Sequence, residues 1–494
     1  MRPDEAHPRL RWLLASGGDE RIWPDLETGR NRYGITIAPA PDELWFSSST
    51  ASAMTEHAYG EAGRIAARLF DAESQGGLAL QDWFDAIRGE LLATFGCEAA
   101  QAVLAPSGTD GELIALAVAK SLLGPAVTNI VIAPDETGSG VTKAAAGLNF
   151  LATSSLGGSA DLGRRLGGWE AADIEVACVG IRDADGAPRP LGLVDADVAR
   201  HVESALAGGR GVLLHVLDTS KTGLSGPSRA VAWRLARGAP DRVLVVVDAC
   251  QLRCPAAQLQ SDLRAGGMVL ISGSKFVAGP PFSGALLLPG EIAARLRQAP
   301  PPPVGLADYS ARFDWPEGLQ ATFARELIAT ANFGLGLRWS AALAELRRLV
   351  RVGDAQRSAI TARFANEVLQ RASATPRLAP LDEPDAARNS SIVPLAVRSA
   401  SGGFAPAAAV AKLHVDLRWP IGVARHLQRV CHVGQPVQLG PRTALRVCLS
   451  AGHVSAVAEG LAAGATLDDA FAPIGRDLDR LFAKLMALID GASP

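Results

Sequence analysis

One aspartate and one lysine fall at the ends of two successive apolar runs. "VLVVVD" closes on Asp248, and "MVLIS" is followed shortly by Lys275, 27 residues further on. In an open α/β sheet, ligands gather at the carboxyl ends of the strands, so both side chains are predicted to face one crevice. A lysine there can form a Schiff base with an aldehyde. A carboxylate can hold a ring nitrogen in its protonated, charged form. Pyridoxal phosphate asks for both groups in one site. Its phosphate needs a third element, which "LAPSGTDGELIALAVA" supplies: a strand, then Ser107, Gly108 and Thr109 opening a helix. Free amides and the positive end of the helix dipole meet there and hold an anion. Taken singly, each feature has a simpler reading. Ser-Gly-Thr is a common helix start, Asp248 could cap the next helix, and Lys275 could be a surface lysine. All three in this order favour the cofactor site.

These residues need a framework, and the pattern of apolar runs provides one. Seven short runs, at 102–106, 129–134, 174–180, 211–217, 243–248, 268–272 and 284–288, read as strands. Between them, 109–124, 194–207 and 228–237 carry the apolar spacing of helices packed on a mostly parallel sheet. The fold class is therefore α/β, with a seven-stranded large domain. A proline run, "QAPPPPVG" at 298–305, interrupts the pattern as an exit loop. Beyond it, two long helices and strands near 391–397 and 443–449 predict a smaller α+β domain, with further helices near 453–463 and 475–490. The expected division is an N-terminal arm at 1–60, a large domain at 61–315 and a small domain at 316–494.

Composition narrows the partners. A formal charge of -3 and a pI near 6.3 create no field that would gather nucleic acid or an anionic membrane, which leaves small molecules. No run of 18 or more apolar residues occurs, so no membrane span is expected. Six cysteines without a paired CxxC pattern predict a reduced, cytoplasmic protein with neither a disulfide framework nor a metal site.

The motifs themselves resemble a known group. "VDACQ" is similar to a "VDAAQ" motif, and "SGSK" to "S-x-H-K", of the fold type I pyridoxal-phosphate enzymes, specifically the class V aminotransferase and cysteine desulfurase superfamily. The resemblance runs in order through about residues 45–455. It implies that Lys275 forms the Schiff base, that Asp248 pairs with the ring nitrogen and that Gln251 meets the ring hydroxyl. It also implies that Ser272 joins Ser107, Gly108 and Thr109 at the phosphate. "LDTSKTGLSGPS" nominates Asp218 and Thr219 for the cofactor, and "APDETGSG" nominates Thr137. "ATAN" is similar to a "GTPN" loop that reaches the neighbouring subunit's phosphate, so the resemblance implies a homodimer with Thr330 acting across it. "LRVCLS" matches a strand whose arginine binds the substrate carboxylate, which nominates Arg446; an arginine in a strand is also often a plain salt-bridge partner.

Two departures bear on the chemistry. The superfamily commonly stacks a histidine on the ring, and the corresponding stretch here holds Glu136, Thr137 and Ser139 with no aromatic residue. Ser274 precedes the lysine where histidine is frequent. The expected general acid/base is then Lys275 itself. A desulfurase needs a nucleophilic cysteine, but "HVGQP" aligned on "HCAQP" puts Val433 at that position, with Cys431 two residues earlier. His57 reads as a surface or second-sphere residue and His215 as a core histidine. The expectation is a pyridoxal-phosphate enzyme acting on the amino group of an amino acid, most readily an aminotransferase. The alternatives are a C–S lyase or desulfurase, and a binding scaffold without turnover.

Overall fold

The computed structural model describes residues 9–73, 80–381, 390–422 and 424–491. In chain order its strands are β1 (Leu44–Phe46), β2 (Gln101–Ala105), β3 (Val127–Ile132), β4 (Ile174–Val179), β5 (Gly211–Leu217) and β6 (Val243–Ala249). They are followed by β7 (Met268–Ser272), β8 (Gly284–Leu288), β9 (Leu378–Pro380), β10 (Ile392–Val397), β11 (Cys431–Leu439) and β12 (Arg442–Cys448).

Each of the seven runs expected in the large domain is a strand of one sheet, ordered β2-β8-β7-β6-β5-β3-β4. β8 is antiparallel to both neighbours, while β7, β6, β5, β3 and β4 run parallel. Every residue of β3, β5, β7 and β8 is buried, because helices cover both faces and leave no side on which polar residues could alternate. The helix Gly108–Leu123 is correspondingly buried around its circumference, Thr109 through Ala119 without a break, and it is wholly apolar from Leu113 to Ala119.

The second sheet, ordered β1-β11-β12-β10-β9, is only partly legible in the sequence. β10 and β12 fall where expected. β11 hides behind a glycine and a proline: its register against β12 shifts between Gly434 and Val437, a bulge that breaks the two-residue alternation. β1 is three residues long and pairs parallel with β11, Leu44 facing Cys431. Chain from the expected N-terminal arm thus becomes an edge strand of the C-terminal sheet.

The two long helices after the proline run are Phe333–Leu349 and Asp354–Ser373. The first is buried almost throughout and lies against the loop between β7 and β8, the segment that carries Lys275. A Cβ on Gly279 would stand 2.6 Å from Ala342 Cβ and 2.9 Å from its Cα, and one on Gly273 would stand 2.7 Å from Ala342 Cβ. Only glycine permits that approach. No helix among the described residues is long and apolar enough to cross a membrane.

Candidate active site

Asp248 occupies the carboxyl end of β6, in register with Leu217 of β5 and Leu270 of β7. Lys275 lies just past the end of β7. Both line one cavity of about 230 Å³, together with Ser107, Gly108, Thr109 and Ser272. Strand ends and a helix start therefore converge as the spacing predicts.

Local bonding fixes each of these groups. Ser107 caps the helix, its Oγ accepting from the Asp110 amide at 3.3 Å while its hydroxyl donates to the Asp110 carboxylate. Gly108 must be small, since a Cβ there would lie 2.7 Å from Cys250 Sγ. Asp248 Oδ1 accepts the Cys250 amide at 3.0 Å, which orients the carboxylate. Ser272 Oγ accepts the Ser274 amide at 3.1 Å, leaving its own proton free to donate. The backbone around Lys275 is tied to the N-terminal segment: the Ser52 amide donates to Ser274 O at 3.0 Å, and the Ser52 hydroxyl to Lys275 O at 2.8 Å. The loop also holds Ala278 at φ 64° and Phe282 at φ 70°, left-handed conformations unusual for such residues and common where a site dictates the backbone.

Other nominated residues do not line the cavity. Asp218 pairs with Arg229 at 2.8 Å and accepts from the Thr219 hydroxyl at 2.9 Å, so the two are engaged with each other and with the Arg229–Asp262 pair. Gln251 is buried between the Ser49 carbonyl, to which it donates at 3.0 Å, and Arg253. Thr137 donates to Pro134 O, and its successors Gly138 and Ser139 reach the cavity instead. Thr330 is exposed on the surface. His57 is exposed, and His215 is buried as expected.

Arg446 is fully buried and makes five hydrogen bonds: to Gln435 O from both Nε and Nη2, to Ser49 Oγ, to Lys221 O and to Thr50 Oγ1. Burial pulls its pKa down to about 10, and no carboxylate pairs with it among the described residues. Its partners Ser49, Thr50, Gln435 and Lys221 line the cavity, while its own guanidinium stands behind them.

Sequence reasoning missed several cavity residues. Arg21, Arg32 and Tyr33 come from the N-terminal arm, where no motif marks them. Arg21 holds Asp19 in two hydrogen bonds, at 2.8 and 2.6 Å, and reaches Ser107 Oγ at 3.3 Å. It lies over the rings of Phe150 and Phe282, at 5.4 and 5.0 Å from their centroids. Phe282 lines the cavity from inside the quoted "AGPPFSG". Glu112 lines it from the helix after β2 and sits 3.1 Å from His215 Nε2. Burial opposes charge on His215, but the Glu112 carboxylate together with Asp248 outweighs it and the pKa is raised.

Glu136, in the stretch where a ring-stacking residue was sought, serves the framework. Its carboxylate takes Arg182, the Ser220 hydroxyl at 2.9 Å and the Thr222 hydroxyl, and its carbonyl accepts the Lys221 amide at 2.9 Å. It thereby pins the turn after β5.

No protein-family model matches the chain, and no curated protein matches it. Solved structures do. The cysteine desulfurase CsdA from Escherichia coli superposes with a TM-score of 0.54 over 91% of this chain and 95% of its own, at 14% identity. The cystine C-S lyase C-DES, solved in complex with its reaction product cysteine persulfide, gives 0.55 over 92% and 98%, at 17% identity. A 4-hydroxyphenylacetaldehyde synthase from Rhodiola rosea gives 0.52 over 91% and 82%, at 12% identity. The chain shares the fold of these structures, among which that one fold carries several reactions.

Proposed function

We propose that this chain is a pyridoxal-phosphate enzyme acting on the amino group of an amino acid, with transamination as its reaction. The observation that carries the reading is the convergence of Lys275, Asp248 and the helix start Ser107–Thr109 on one cavity. The donor set fits the cofactor: an amine for the aldehyde, a carboxylate for the ring nitrogen, and amides with the hydroxyls of Thr109 and Ser272 for the phosphate. Arg21, its charge balanced by Asp19, adds a guanidinium donor beside Ser107 at that end.

When bound, pyridoxal phosphate supplies an electron sink for the pair left at the substrate's Cα. Lys275 Nζ would hold the aldehyde, and as a free amine it would be the base that takes the Cα proton. Asp248 keeps a proton on the ring nitrogen by opposing its charge. The Ser52 bonds to the backbone of Ser274 and Lys275 hold the base in place.

A thiol relay of the desulfurase kind finds no support in this geometry. Cys431 is fully buried in β11 opposite Leu44, and burial pushes its thiol up to about 11. Cys250 does line the cavity, but burial, with the Asp248 charge beside it, raises its pKa well above the usual range. Both favour the unreactive protonated form.

A homodimer remains part of the reading: Thr330 is exposed on its own subunit and available to a neighbour. The experiment is to load the protein with pyridoxal phosphate, supply a panel of amino acids, and assay oxoacid, sulfide and ammonia. Oxoacid with conversion of the cofactor to its amine form supports transamination. Sulfide or ammonia as principal product replaces it with a lyase, and no turnover with any of them leaves a binding scaffold.

A further inference from the structure

Three cations lining the cavity, Arg32, Lys221 and Lys275, make no side-chain hydrogen bond or ion pair among the described residues. Lys275 is assigned to the cofactor's aldehyde and Arg32 is exposed, which leaves Lys221 as the part-buried one. Lys221 sits in the turn after β5, its amide bonded to Glu136 O and its carbonyl to Arg446 Nη1 at 3.3 Å. The side chain lines the cavity alongside Ser49, Thr50, Gln435 and Lys275. Among the described residues its amine makes no hydrogen bond and no ion pair, while Arg446 makes five bonds to neutral acceptors. A carboxylate entering the cavity would meet a free ammonium on Lys221, and would have to displace Ser49, Thr50 or the Gln435 carbonyl to reach Arg446.

We propose that Lys221 is the residue that receives the carboxylate of the amino-acid substrate, and that Arg446 is a positioning residue that holds the wall of Ser49, Thr50, Gln435 and Lys221 around it. This rests on the amino-acid reading above. Burial, then the charges of Arg446 and Lys275, bring the Lys221 pKa down to about 7, against the opposing pull of Glu136 and Asp135. Arg21, Arg32, Tyr33, Glu112, Asp248 and Cys250 also face the cavity. Near neutral pH the amine is therefore partly deprotonated, and an arriving carboxylate draws a proton onto it. Binding weakens as pH rises above about 7, because the bound form needs a proton that the free form has lost.

The test is calorimetric titration of the cofactor-loaded protein with propionate, a carboxylate that has no amine to react. Wild-type affinity should fall as pH rises above neutrality, by at most about tenfold per pH unit, the limit for one linked proton. Lys221→Arg should keep the affinity and lose the pH dependence, and Lys221→Gln should lose binding at every pH. Propionate binding by Lys221→Gln equal to that of wild type would overturn the proposal, as would failure of the wild type to bind propionate. A visible cofactor band is recorded in each protein. Its absence from wild type defeats the functional reading, whereas its presence beside unaltered propionate binding in Lys221→Gln defeats this inference alone.

Discussion

Replacing Arg446 with methionine should destabilise the protein by about 2–4 kcal/mol. The substitution keeps much of the apolar stem and removes five hydrogen bonds at once. The hydroxyls of Ser49 and Thr50 can rotate toward other partners, but the carbonyls of Gln435 and Lys221 cannot. Stranding two carbonyl acceptors costs about 1–3 kcal/mol each. Burying an unpaired guanidinium is itself unfavourable, as its depressed pKa of about 10 shows, so losing the charge returns part of that cost. Urea unfolding followed by tryptophan fluorescence measures the difference, with Arg200→Met as a control because its partner Asp197 is a surface residue three positions away. A clear fall in the unfolding midpoint is expected for Arg446→Met and little change for the control. Equal midpoints would refute the assignment of Arg446 to the wall of the site.

Four further outcomes follow from the same geometry. Asp248→Asn should retain the cofactor, seen by its absorbance, yet lose most turnover, since an amide cannot hold positive charge on the ring nitrogen. Cys431→Ala should leave amino-acid turnover unchanged, as kinetics with the best substrate will show, because the thiol is sealed inside the second sheet. Gly279→Ala should lower both stability and cofactor occupancy, read by thermal melting and absorbance, because the added carbon meets Ala342 backbone at 2.9 Å. Burial raises the Asp314 pKa to about 7. Its native form thus binds a proton that the unfolded form loses near pH 4, so its contribution to stability declines as pH rises from about 4 through 7. Asp314→Asn should flatten that part of the pH profile relative to wild type in urea melts at successive pH values.

Legibility differed between the two sheets for a physical reason. The central strands β5, β6 and β7 of the large sheet are almost wholly buried, so each appears as a largely apolar run, and the ends of β6 and β7 point to Asp248 and Lys275 directly. β11 contains a bulge, a glycine and a proline, and β1 is a three-residue edge, so neither imprints a period on the sequence. The missed cavity residues follow the same logic. Arg21, Arg32 and Tyr33 reach the site from irregular chain more than 70 residues before Ser107, through contacts that no local pattern encodes. Lys221 stood within a quoted stretch, but the motif drew attention to Asp218 and Thr219, which turn to Arg229 and to each other. Arg446 was found by its strand; its saturation by neutral acceptors depends on Ser49, Thr50 and Gln435, which only the folded chain brings together.

The central claim is that Lys275 holds pyridoxal phosphate opposite Asp248, and chemical trapping tests it most directly. The protein is purified, incubated with the cofactor, reduced with borohydride and digested, and the modified peptide is identified by mass spectrometry. The account predicts a visible absorption band before reduction and a single cofactor adduct on Lys275, both lost in Lys275→Ala. An adduct on another lysine, Lys221 included, or no adduct at all, would contradict it.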